Sequence, residues 1–216
     1  MFDRIAMRSL EGPGISPLKW TCFFFALFGF CLGFDSLPGL KIEKGGNLSY
    51  AGARIRVLHF GPSWRMSAQG SQTVVGELDD SPAAWNLRGA MLLTGIGKTV
   101  SFTQSLKLSG PQQLDYAAAL SSPELIPTQQ LALSVELPVW IFASSALMVD
   151  GTPFPLTEKP LGKTFVWSNF SKLVCPTPLG RLIFSGNLSG QLQDGRDANG
   201  DPFFRLRFYF SPDTGE

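Results

Sequence analysis

The sequence is poor in the residues that most often perform chemistry. It holds one histidine, His59, and three cysteines, Cys22, Cys31 and Cys175. Structural and catalytic zinc sites draw on His and Cys, so a zinc centre is nearly excluded. There is no Gly-x-Ser-x-Gly elbow and no glycine-rich phosphate loop, and His59 has no recognisable partner motif. Charged residues make up only 16% of the chain and form no basic stretch, which argues against nucleic acid as a partner. After Phe34 no stretch of about twelve or more residues sustains a 3.6-residue apolar period, so long amphipathic helices are not expected. No repeat of about 20–50 residues stands out.

What is present starts with an apolar run, Trp20–Phe34, which carries no charge. A helix needs about 20 apolar residues to span a bilayer, so this run suits the core of a signal peptide better than a membrane span. Arg4, Arg8 and Lys19 precede it as a positive flank, and Cys31 and Gly33 offer small residues for a cut before Phe34. The expected organisation is therefore residues 1–33 as a signal peptide or an uncleaved anchor, formed by one apolar helix, and 34–216 as one β-domain. The expected location is secreted, periplasmic or cell-envelope, with the membrane engaged only through residues 20–34 if cleavage fails. The chain has 18 Lys and Arg against 17 Asp and Glu. Residues 1–33 hold Arg4, Arg8 and Lys19 against Asp3 and Glu11, so the remainder balances at fifteen and fifteen. Cys175 would be a lone thiol, and its apolar neighbours Leu173 and Val174 fit a buried, inert side chain.

The dominant period after residue 40 is two, which puts alternate side chains on a core face and a solvent face. Leu131, Leu133, Val135 and Leu137 show it most cleanly, and Phe204, Leu206, Phe208 and Phe210 alternate with Arg205, Arg207 and Tyr209. Val100–Leu108 and Leu114–Leu120 behave likewise; Leu48–Phe60, Gln72–Leu78, Trp85–Thr94, Leu147–Val149, Lys163–Trp167 and Arg181–Gly186 are weaker. Asp150-Gly151 and Asn199-Gly200 are hairpin signals, because both pairs reach positive φ cheaply. Asp79-Asp80-Ser81-Pro82 reads as a turn, and the prolines of Thr152–Gly162 make that stretch a loop or an edge. About ten short strands separated by turns define an all-β, antiparallel β-sandwich or barrel, the sandwich being preferred.

Three groups of residues could carry a function. Trp64, Trp85 and Trp167 could present flat rings to sugars; core packing is the competing role for each, as it is for Trp140. Asp194, Asp197, Asn199 and Asp201 form an oxygen-rich loop of the kind that wraps Ca²⁺, although the spacing is not that of an EF-hand and a solvated hairpin explains it as well. The acids Glu77, Asp79, Asp80, Glu124 and Glu136 show no spacing that singles out a catalytic pair, with Glu136 pointing outward on a strand. No catalytic set and no cofactor beyond that calcium candidate is expected. Asn47, Asn169 and Asn187 each begin an Asn-x-Ser sequon, a glycan site if a eukaryotic host exports the chain.

The segments Leu137–Ala143, Leu147–Leu156, Gly180–Gly186 and Gln193–Arg196 together resemble the β-sandwich modules that precede the catalytic domain in large secreted bacterial polysaccharide-degrading enzymes. The likeness covers about the second half of the chain. It implies a noncatalytic role with carbohydrate or an extracytoplasmic protein as partner, the family's catalytic residues lying in a downstream domain. The alternatives are a membrane-anchored structural or assembly protein of the cell envelope and, behind it, a small glycoside hydrolase or lyase.

Overall fold

The computed structural model describes residues 26–28, 40–43, 45–70, 73–81, 84–110 and 113–210. Among the described residues the fold is all-β, and the paired strands run antiparallel. In chain order the strands are β1 (Ala26–Phe28), β2 (Leu40–Ile42), β3 (Leu48–Tyr50), β4 (Ala53–Phe60), β5 (Met66–Ala68), β6 (Thr73–Ser81), β7 (Ala84–Leu93), β8 (Lys98–Gly110), β9 (Gln113–Ser121), β10 (Gln130–Pro138), β11 (Ala146–Val149), β12 (Thr152–Pro155), β13 (Phe165–Thr177), β14 (Gly180–Asp194) and β15 (Phe203–Phe210). Two single-turn helices, α1 (Val139–Phe142) and α2 (Gly195–Asn199), interrupt them. Among the described residues no helix is long and apolar enough to cross a membrane.

The strands form an eleven-stranded sheet, ordered β12-β11-β13-β14-β15-β10-β4-β3-β2 with β1 on β14 and β5 on β4, and a four-stranded sheet ordered β6-β7-β8-β9. One apolar core joins them. The alternation builds it directly. Leu131, Leu133, Val135 and Leu137 of β10 are buried, as are Ile55 and Val57 of β4 and Phe204, Leu206 and Phe208 of β15. The smaller sheet contributes Trp85, Leu87, Met91, Phe102 and Leu106. Each such side chain adds about 1.5–3 kcal/mol by leaving water. A buried amide network crosses between the sheets. Gln69 accepts from Val57 N at 3.1 Å and donates to Gly45 O at 3.0 Å and to Gln104 Oε1 of β8 at 2.9 Å.

The turn chemistry is as expected at Asp150-Gly151. Val149 faces Thr152, and the two residues between them have φ of 45° and 82°, the left-handed pair that a two-residue hairpin needs. The Asp150 carboxylate also receives Ser171 N and Lys172 N, at 3.0 and 2.8 Å, beside the bulges of β13. β12 lies at the sheet edge, where its prolines cost no ladder bonds. Two expectations are corrected. Asp79–Ser81 continue strand β6, and Ser81 pairs with Ala84 of β7. Asn199-Gly200 is not a two-residue hairpin: Asp194 accepts from Arg196 N as an N-cap, α2 forms, and Gly200 closes it at φ 76°.

Most of the run Trp20–Phe34, and so the helix expected there, lies outside the described residues. Ala26–Phe28 themselves are extended and pair with Phe184–Leu182 of β14. β15 pairs with β14 only over Gly190–Asp194, which leaves backbone groups further along that edge for β1 to take.

Candidate functional site

Strand β10 organises the site. Its odd-numbered residues face the core, so Ala132, Ser134 and Glu136 face the outside of the large sheet. Its neighbours bring cations to both flanks. Glu136 stands opposite Arg54 of β4 and Arg205 of β15, and Ser134 stands opposite Arg56 and Arg207. Glu136 does point away from the core, but it is only 6% exposed, because Arg56 hydrogen-bonds its carboxylate and Arg54 lies 3.7 Å from it. At the two outer corners Arg54 approaches Glu43 at 3.7 Å and Arg205 binds Asp201.

Aromatic side chains bound this arginine patch at both ends. At one end Phe60, Leu58 and Ala132 form a small buried cluster on the outer face, with Tyr209 packed against it. The Arg207 guanidinium lies over the Phe60 ring at 5.5 Å. Burial pulls the Arg207 pKa down and pushes that of Tyr209 up, while a hydrogen bond between the two side chains opposes both shifts. The Trp64 indole meets Phe60 edge-on at 5.9 Å and is 62% exposed. It is carried by the single turn Pro62–Trp64, in which Ser63 and Trp64 both adopt left-handed φ, 58° and 59°. Non-glycine residues avoid that region, so something must hold them there. Trp64 N donates to Gln129 Oε1 at 2.8 Å and Gly61 N to Arg65 O at 2.9 Å.

At the other end, Pro138 stops β10, and α1 turns Trp140 out to 69% exposure, edge-on to Phe203 at 5.8 Å. Pro138 pairs with Phe203, in phase with the Glu136–Arg205 rung, so this aromatic pair belongs to the same face. From Gln130 to Pro138 the strand rises about 26 Å at 3.3 Å per residue. Two exposed tryptophans thus bracket a strip of arginines long enough for several sugar rings.

The three tryptophans read from sequence part company. Trp64 is presented to solvent. Trp85 is 5% exposed within the core, opposite Leu106, and offers no face to a ligand. Trp167 is half-buried, with Phe154 at 5.4 Å and Phe170 at 6.4 Å set edge-on around it. Trp140, for which core packing was the competing role, is exposed.

The oxygen-rich loop spends its carboxylate oxygens on the protein. The Asp194 carboxylate accepts from Arg196 N and Nε, both at 3.0 Å, from Arg196 Nη2 at 2.7 Å and from Leu161 N at 3.1 Å. Burial works to raise its pKa, and the Arg196 side chain and these amides outweigh that and hold it below the usual carboxylate range. Asp197 accepts from Gly162 N at 2.7 Å, and Asp201 accepts from Asn199 Nδ2 at 3.0 Å and from Arg205. Arg196 also reaches the carbonyls of Thr157, Glu158 and Lys159. The cluster staples residues 157–162 to the β14–β15 connection. Among the described residues no three His, Cys, Asp or Glu side chains group as metal ligands.

The remaining candidates are quieter. Cys175 is fully buried, and desolvation pushes its thiol up to about 12, so no thiolate forms at neutral pH. Asn169 and Asn187 are exposed, whereas Asn47 is buried and its sequon is closed to modification in the folded chain. His59 lines a narrow cleft of about 30 Å³ between the sheets, with Leu93, Val100, Leu120, Ile126 and Leu131. That is room for a couple of waters. Thr128 Oγ1 donates to Ile126 O at 3.1 Å, so His59 Nε2, 2.8 Å away, must donate to the hydroxyl, and Nδ1 is left as a buried acceptor with no partner among the described residues. Burial lowers the His59 pKa to about 4. It is a neutral imidazole whose one hydrogen-bond partner among the described residues is the Thr128 hydroxyl.

No protein-family model, curated protein or solved structure matches this chain.

Proposed function

We propose that this chain is an exported, noncatalytic β-sandwich module that binds carbohydrate along the outer face of its large sheet. The observation that carries the reading is the pair of exposed tryptophans, Trp64 and Trp140, at the two ends of one strip. Large exposed aromatics cost solvation unless a partner covers them, and planar rings at spaced positions suit the apolar faces of successive sugars. The absence of a catalytic constellation in the sequence and the apolar run Trp20–Phe34 support a binding role outside the cytoplasm. The likeness to modules of polysaccharide-degrading enzymes points the same way.

Isothermal titration of the full chain against soluble oligosaccharides tests the reading. Trp64→Ala and Trp140→Ala each weaken binding by about tenfold or more, an aromatic anchor contributing on the order of 1–2 kcal/mol, while the melting temperature holds. Trp167→Phe leaves binding unchanged. Silence across a broad glycan panel sinks the carbohydrate reading. N-terminal sequencing of material from the native host addresses export: a start near Phe34 marks a removed signal, and a start at Met1 favours the envelope-anchored alternative.

A further inference from the structure

Adjacent rungs of the outer face carry the same cations around different centres. At one rung Arg54 and Arg205 flank the carboxylate of Glu136. At the next, Arg56 and Arg207 flank Ser134, a neutral hydroxyl. Ser134 is fully buried beneath these side chains, yet its Oγ has no hydrogen-bond partner among the described residues. The Nε–H groups of Arg56 and Arg207 are likewise buried and without a partner. Three unused polar atoms, two of them guanidinium donors and one a hydroxyl, therefore belong to a single rung. Buried donors left unmade are costly, and guanidinium donors match the two oxygens of a carboxylate or sulfate better than they match water. Glu136 takes Arg56 Nη2 of this rung and lies 3.7 Å from Arg54, and it still leaves both Nε–H groups and the Ser134 hydroxyl without a partner among the described residues.

We propose that Arg56, Ser134 and Arg207 form an oxyanion subsite, and that it receives the carboxylate or sulfate of an acidic saccharide lying between Trp64 and Trp140. This rests on the carbohydrate reading for the identity of the ligand, though the subsite itself stands on the orphaned donors alone. The two guanidinium groups grip the anion from either flank and the Ser134 hydroxyl donates from beneath. Phe60, under Arg207, keeps water from one side. Specificity follows: a neutral analogue leaves the same donors unmet and is rejected.

The test uses the full chain with two probes. One is an oligogalacturonate paired with its neutral methyl ester; the other is inorganic sulfate against chloride at matched ionic strength. The wild type binds the free acid about tenfold or more tightly than the ester, and sulfate raises its melting temperature more than chloride does. Ser134→Glu rebuilds the neighbouring Arg–Glu–Arg rung. It abolishes both the acid preference and the sulfate effect while the protein stays folded. Arg56→Gln, which keeps the length of the side chain's stem, cuts acid binding and spares ester binding, and it serves if Ser134→Glu does not fold. Equal binding of acid and ester with no sulfate effect overturns the subsite and leaves the carbohydrate reading standing. A sulfate effect that Ser134→Glu removes, with no saccharide bound, upholds the subsite and overturns that reading. Tighter binding of RNA or DNA than of any acidic saccharide overturns the assignment of the ligand.

Discussion

Two arginine-centred clusters in this molecule look alike in composition and differ in what their donors find. Around Arg196, each of the guanidinium nitrogens meets an oxygen: the carboxylate of Asp194 or the carbonyls of Thr157, Glu158 and Lys159. Around Ser134, Arg56 binds Glu136, Arg54 lies near both Glu136 and Glu43, and Arg205 binds Asp201, while the buried Nε–H groups of Arg56 and Arg207 have no partner among the described residues. The first is a closed structural staple. The second holds more buried donors than the described residues can satisfy, and such a surplus is what a ligand's oxygens would remove. Composition alone would have ranked them the other way, since the acid-rich loop is the obvious candidate for binding.

The largest effect that separates them comes from Asp194→Ala. It strips Arg196 of its carboxylate and leaves Leu161 N without an acceptor, inside a site where Asp194 is 1% exposed. Chemical denaturation reports a loss of about 2–4 kcal/mol. The pH dependence has a definite sign. With its folded pKa depressed, Asp194 contributes stability above its ordinary value near 3.8 and loses that contribution as the pH falls below it. Asp194→Asn therefore flattens the acid limb below about pH 4. Addition of Ca²⁺ moves neither protein's melting temperature; a rise in the wild type alone would return the loop to the list of metal sites.

His59 offers an intermediate case, a buried nitrogen on the core side of β4 that has no partner among the described residues. Unfolded, its ring takes up a proton near pH 6.5; folded, only near 4. Between those values the unfolded chain binds more protons, so stability falls as the pH drops from about 6.5 to about 4. The expected loss across the window is about 2 kcal/mol. His59→Gln places an amide nitrogen where Nε2 donates to Thr128 and removes the titration, so its stability curve stays flat there. A wild-type curve with no slope through this window would mean that the ring is solvated rather than buried.

The sequence made the strands legible and the site only half so. Period two located β10 and β15 because their core-facing residues are large and uninterrupted, and Asp150-Gly151 named its hairpin because few residues tolerate two consecutive positive φ values. Trp64 was readable from its Gly61-Pro62 turn. Trp85 could have been placed inside from Leu87, which shares its face two residues on. Asp194 sits two residues before Arg196, a local partner that was visible and outweighed by the count of acids. The arginine rungs were out of reach, because Arg54-Ile55-Arg56 and Arg205-Leu206-Arg207 lie at opposite ends of the domain and meet only through β10. Alternation tells which way a side chain points; pairing order and register tell what stands beside it. Trp140 was misjudged for a similar reason, since the turn of α1 after Pro138 redirects the chain and breaks the alternation.

The smallest effect is the sharpest discriminator between the two clusters. Ser134→Ala removes a hydroxyl that is fully buried and makes no hydrogen bond among the described residues. Deleting a polar group that has no partner forfeits no bond and lifts a desolvation cost, so the free energy of unfolding in the absence of ligand changes by less than about 0.5 kcal/mol, and in the stabilising direction if at all. The same kind of truncation at Asp194 costs several times more, because there every oxygen is engaged. If Ser134→Ala instead destabilised the ligand-free protein by about 1 kcal/mol or more, its hydroxyl would be holding one of the arginines in place. The rung would then be a staple like that of Arg196, and the contrast between a closed cluster and a receptive one would fail.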